Sequence, residues 1–259
     1  MNLFDNKVVV IAVKELKKKL RTWPVIFFSM AFPLMFVLMF YFMLGKEVYD
    51  YAFSGMVIYA TGVGTINAAI SFAEEKTTGM LTRLDTLPTG RKNIFLGTLL
   101  SESVFLTLQV LIMFVIGYGI LGLKYDSFVS LFLGFFIALL FGISSLGLGL
   151  IIASMSKTAE IANAASLVIF MLMLFVSGSM FPFESPIVYI FPPYWARQVF
   201  LQVTVLGHGL SDFLYSGSLI GTESQLTIIP IWGGLLIIIA FTLIFVVLGV
   251  IVFQKKTKF

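Results

Sequence analysis

Side chains able to do chemistry are scarce in this sequence, and the most informative lie inside long apolar runs. Asn67, Glu102, Gln109, Asn163 and Ser166 are the polar exceptions there. Only Glu102 carries a charge, and an ionisable group at membrane depth is costly enough to imply function by default. Its chemistry would be that of a lining group on a substrate path. It also stands near enough to the start of its run to reach the inner interface and pair with Arg91 or Lys92. Gly62, Gly64 and Asn67, in the preceding run, are the other candidates for lining a path.

Nothing assembles a catalytic set. The absence of cysteine excludes disulfides, thiolate metal sites and cysteine nucleophiles. The single histidine, His208 in Gly207-His208-Gly209, cannot build a cluster and reads as an exposed loop residue. No His, Asp and Glu set has metal-ligand spacing. Lys76-Thr77, Lys157-Thr158 and Lys256-Thr257 each lack the upstream glycines of a phosphate-binding loop. The expectation is a chain with no catalytic residue, no metal, no cofactor and no ATPase site of its own.

Two segments between the apolar runs carry denser patterns. In 74–88, Glu74 and Glu75 suit a helix N-terminus electrostatically. Met80, Leu84 and Leu87 follow as an apolar ridge at helical spacing, and Pro88-Thr89-Gly90 ends it. Such a helix either docks a partner or lies flat on lipid. In 183–206, Pro186, Pro192 and Pro193 punctuate a stretch too apolar for a free loop, and Tyr189, Phe191, Tyr194 and Trp195 suit the headgroup belt. Short helices dipping into the outer leaflet fit this pattern.

The elements that position these groups follow from composition. Of 259 residues, 59% are apolar, 15% aromatic and 12% charged. Soluble domains hold roughly 45–50% apolar and about 25% charged residues. The chain is therefore an all-α integral membrane protein, not a soluble enzyme or nucleic-acid binder, since lipid leaves the backbone no partner outside a helix. Apolar runs predict six spans, at about 24–45, 51–73, 93–120, 127–154, 161–181 and 228–253, in one permease domain over 1–259. Residues 5–23 form an amphipathic helix in the inner interface, with Val8, Val9, Ala12, Val13, Leu16, Leu20 and Trp23 on its apolar arc. Lys19 falls on that same arc and must snorkel.

Charge sets the orientation. Lys7, Lys14, Lys17, Lys18, Lys19 and Arg21 precede span one; Lys76, Arg83, Arg91 and Lys92 follow span two; Lys157 follows span four; Lys255, Lys256 and Lys258 close the chain. The opposite side holds only Lys46, Lys124 and Arg197. Both termini are expected in the cytoplasm, and the protein in the cell membrane. Small-residue seams, Ala60/Gly64/Ala68 and Ser145/Gly149/Ala153, read as close helix packing.

This arrangement resembles the permease subunits of type-2 ABC exporters, the drug, polysaccharide and O-antigen exporters. The stretch from Phe72 to Pro88 is similar to the family's coupling helix, with Glu74, Glu75, Gly79, Arg83, Leu84, Leu87 and Pro88 at its matching positions and Met80 where the family usually has Thr. Ser177, Gly178, Phe181, Pro182 and Pro186 resemble the segment that ends span five before two re-entrant helices. The resemblance implies two copies of an ABC ATP-binding subunit, which bind ATP and Mg, and a second permease, identical or related. It implies ATP-driven export of an amphiphilic or lipid-linked substrate. An ion-gradient carrier or channel is the alternative, with Glu102 as its one candidate group; a lipid-acting membrane enzyme is a more distant one.

Overall fold

A computed structural model describes residues 7–21, 23–77, 91–178, 186–216 and 225–256. Nearly all of them are helical. Helix α1 spans Lys7–Arg21, α2 Trp23–Leu44, α3 Lys46–Gly62, α4 Gly64–Thr77 and α5 Arg91–Phe114. Then come α6 (Phe128–Met155), α7 (Ala159–Val176), α8 (Pro192–Thr204) and α9 (Ile231–Lys256). By length and composition, five helices among the described residues suffice to cross a membrane: Val48–Glu75, Lys92–Ile120, Phe128–Met155, Ala159–Val176 and Ile231–Lys255. The 22-residue α2, with Pro33 inside, contributes a shorter apolar stretch, Met30–Leu44.

The most buried of the long helices pack around α6. It contacts α9, α4, α5, α8 and α3, and its glycines set how closely they come. A Cβ on Gly149 would fall on the backbone carbonyl of Thr65, so α4 and α6 meet backbone to backbone. Thr65 Oγ1 then donates to Ser145 O at 3.0 Å across the same seam. At the other end α6 starts with a capping box, Ser127 and Ser130 each accepting from the other's backbone N–H.

Three features depart from plain spans. The second span breaks at Val63 between Gly62 and Gly64. The third ends in a π-helical turn, Val115–Ile120, whose Gly117 lies against the Phe53 ring. A two-stranded antiparallel sheet, β1 (Phe213–Ser216) with β2 (Gln225–Pro230), stands between α8 and α9. The all-helical expectation missed this hairpin. β2 carries Leu, Thr and two Ile, which favour strands, and its last residues read as the start of the final span.

The 183–206 segment becomes a 3₁₀ turn, Pro186–Ile190, followed by α8; its first three residues lie outside the described ones. Pro192 and Pro193 open α8, where a missing N–H costs nothing. All thirteen of its residues are buried, held against α6, α9 and α3.

Candidate functional site

Buried carboxylates of α4 and α5 meet lysines of α1. Its protein-facing side carries Ile11, Ala12 and Glu15, of which Ala12 also lies on the apolar arc drawn from the sequence. It lies on α5, at Gly97, where a Cβ would sit 2.7 Å from Ile11.

From this seat α1 reaches both helices that flank residues 78–90. Lys18 Nζ donates to Glu75 Oε1 at 3.3 Å, on the last turn of α4. Lys19 Nζ donates to Glu102 Oε2 at 2.5 Å, on α5, and lies 5.2 Å from the Phe105 ring centroid. Glu15 hydrogen-bonds Glu75 as well, and Lys14 Nζ stands 3.0 Å from Glu15 Oε1. Burial pushes the Glu15 carboxyl up, but its bond with Glu75 and the charges of Lys14 and Lys18 outweigh burial and hold it below the usual range.

Two sequence expectations are corrected here. Glu102 takes Lys19 as its partner rather than Arg91 or Lys92, because α1 lies across α5 at that depth. Glu74 and Glu75 end α4 rather than open a new helix; no Gly or Pro interrupts the chain between Gly64 and Thr77. Glu74 is exposed and Glu75 buried. Gly79, Met80, Arg83, Leu84, Leu87 and Pro88 lie outside the described residues.

Mid-membrane, the break at Val63 leaves the Ala60 carbonyl to another donor, and Gln109 Nε2 of α5 supplies it at 3.2 Å. Thr61 Oγ1 donates back to Val57 O and Ile58 O, a pattern that bends helices. Gly62 faces the Phe170 ring of α7 and Gly64 faces Leu146 of α6. Both glycines are buried, and Asn67 is half-buried one turn further on. The path candidates are therefore not gathered at one depth: Glu102 belongs to the inner cluster, and the two glycines to the bend.

Just past the end of α7, Ser177 is buried and donates to Leu174 O at 3.1 Å. Gly178 turns the chain with φ +67°, a conformation that favours glycine. Pro186 opens the 3₁₀ turn; Phe181 and Pro182 lie outside the described residues. The Gly178 carbonyl accepts from Arg197 Nη1 of α8 at 3.2 Å. Arg197 is only 4% exposed. Burial pulls it down to about 10, which leaves it protonated at neutral pH. From the sequence Arg197 counted only as an outer-side charge. A lone cation in an apolar, proline-punctuated stretch was the signal for more.

Comparison with known proteins completes the description. Residues 6–205 match the family model described as ABC-2 type transporter. ABC transporter G family member 20 of Dictyostelium discoideum is 23% identical over 211 residues, which cover 81% of this chain and 27% of that protein. The chain thus spans about a quarter of that relative's length.

Proposed function

Since this chain belongs to the ABC-2 type transporter family, we propose that it is the membrane-spanning subunit of an ATP-driven exporter. Its cargo is an amphiphilic or lipid-linked molecule, a drug, lipid or polysaccharide carrier. A separate ATP-binding subunit, in two copies, supplies the energy with ATP and Mg. A second permease completes the path. Counting α2 with the five candidate spans gives six, with both termini in the cytoplasm of a plasma-membrane protein.

The observation that carries this reading is the bridge made by α1. It grips α4 through Glu75 and α5 through Glu102, the two helices on either side of 78–90. A pull on that segment by closing ATPases reaches α4 and α5 together, and α1 keeps them in step. Met80, Leu84 and Leu87 form the ridge that the ATPase grips. Glu102, the group the sequence offered to an ion-gradient carrier, is paired with Lys19.

The test is purification of the tagged chain from its own cells in mild detergent, with mass spectrometry of what accompanies it. A P-loop ATPase near one-to-one, lost in the Leu84→Ser/Leu87→Ser variant, is the expected result. A chain that emerges alone in several mild detergents overturns the reading.

A further inference from the structure

Arg197 is a buried cation whose hydrogen-bonding capacity is only partly used. Nη1 is anchored on the Gly178 carbonyl at 3.2 Å. Nε and Nη2 are buried and take no partner. These two nitrogens share one edge of the planar guanidinium, the edge that meets two oxygens of a carboxylate or phosphate in parallel. A buried guanidinium without a counter-charge is strongly unfavourable, and the usual remedy is an anion with two oxygens. Among the described residues no carboxylate pairs with Arg197; the salt bridges there all involve α1 lysines.

The surroundings match the head of an amphiphile rather than a soluble ion. α8 lies among apolar partners, and Trp195, two residues away, donates Nε1–H to Tyr189 O at 2.8 Å. That pair is typical of the headgroup level. α8 packs mainly on α6, α9 and α3, and only slightly on α7. The Arg197–Gly178 bond is a polar link across the seam between α7 and α8.

We propose that the free Nε–Nη2 edge of Arg197 receives the phosphate or carboxylate head of the exported amphiphile at the outer end of its path, as the seam between α7 and α8 parts. Naming that ligand as cargo rests on the exporter reading above. The anion site itself does not.

The test uses the chain purified with its co-purifying ATPase in maltoside micelles, and three single-chain probes. Dodecyl phosphate carries the anion, dodecyltrimethylammonium the opposite charge, and dodecyl maltoside none. Dodecyl phosphate at a hundredfold excess over its Kd is expected to raise the melting midpoint by about 5 °C, with no rise from the other two. Arg197→Gln should lose the rise. Arg197→Lys, a point charge without the fork, should bind about tenfold more weakly. An equal rise in Arg197→Gln overturns the site. Should Arg197→Gln not fold, wild-type affinity in Arg197→Lys overturns the two-pronged contact. Stimulation of ATP hydrolysis by dodecyl phosphate identifies the site as a cargo site. A melting shift without stimulation overturns the cargo assignment and marks a resident lipid. Absence of any ATPase overturns the exporter reading, while the melting shift still reads Arg197.

Discussion

The Lys19–Glu102 pair sets up an asymmetric double-mutant cycle. The Glu102 side chain is 4% exposed and that of Lys19 is 20% exposed. Lys19→Met strands a carboxylate that cannot reach water, which costs about 3–5 kcal/mol. Glu102→Gln strands an ammonium on a flexible stem at the edge of the interface. That group can snorkel, and it keeps the Phe105 ring, so the cost falls to about 1–2 kcal/mol. Removing both charges in Lys19→Met/Glu102→Gln leaves no stranded charge, and the double variant should beat additivity by at least about 2 kcal/mol. The assay is equilibrium unfolding of the purified chain in mixed micelles titrated with dodecyl sulfate. Equal costs for the two single variants, or a double variant that merely sums them, would refute the argument from exposure. The complex's ATP hydrolysis adds a functional readout. A loosened α1 should leave basal hydrolysis intact and lower the transport obtained per ATP.

Further expectations are more local. Gly149→Val places a side chain on the Thr65 carbonyl; overpacking of this kind costs about 1–3 kcal/mol, and a melting curve that matches wild type would contradict the backbone contact. Gln109→Leu removes the donor to Ala60 O, leaving a buried carbonyl unpaired at about 1–3 kcal/mol; cysteine crosslinking across the bend should register the changed angle. Ser127→Ala breaks the α6 cap and should cost about 1 kcal/mol in the same unfolding assay, with transport unchanged. Replacing Met80, Leu84 and Leu87 with polar residues should abolish transport while membrane insertion, read by fractionation, persists.

The helices were legible because lipid imposes a simple rule: apolar runs describe them without knowledge of their neighbours. The seam residue Gly149 was legible for the same reason, since small residues four apart mark close approach. The partners were not. Lys19 and Glu102 stand 83 positions apart, and no local pattern encodes a contact at that distance. The nearer lysine and arginine of the same helix looked equally suitable. The bend at Val63 was hidden too, because neither flanking glycine by itself breaks a helix. Arg197 was visible as a charge, but its burial depends on α3, α6 and α9 closing around it.

That enclosure has a consequence for biogenesis. α8 is made before α9, yet α9 is one wall of its seat. Until α9 inserts, Arg197, Gln198, Gln202 and Thr204, all buried in the finished fold, lack that wall. The outer cap is thus a late assembly step, completed after the spans that precede it have been threaded. Chains stalled before that step leave a helix with several polar side chains short of one of its packing walls.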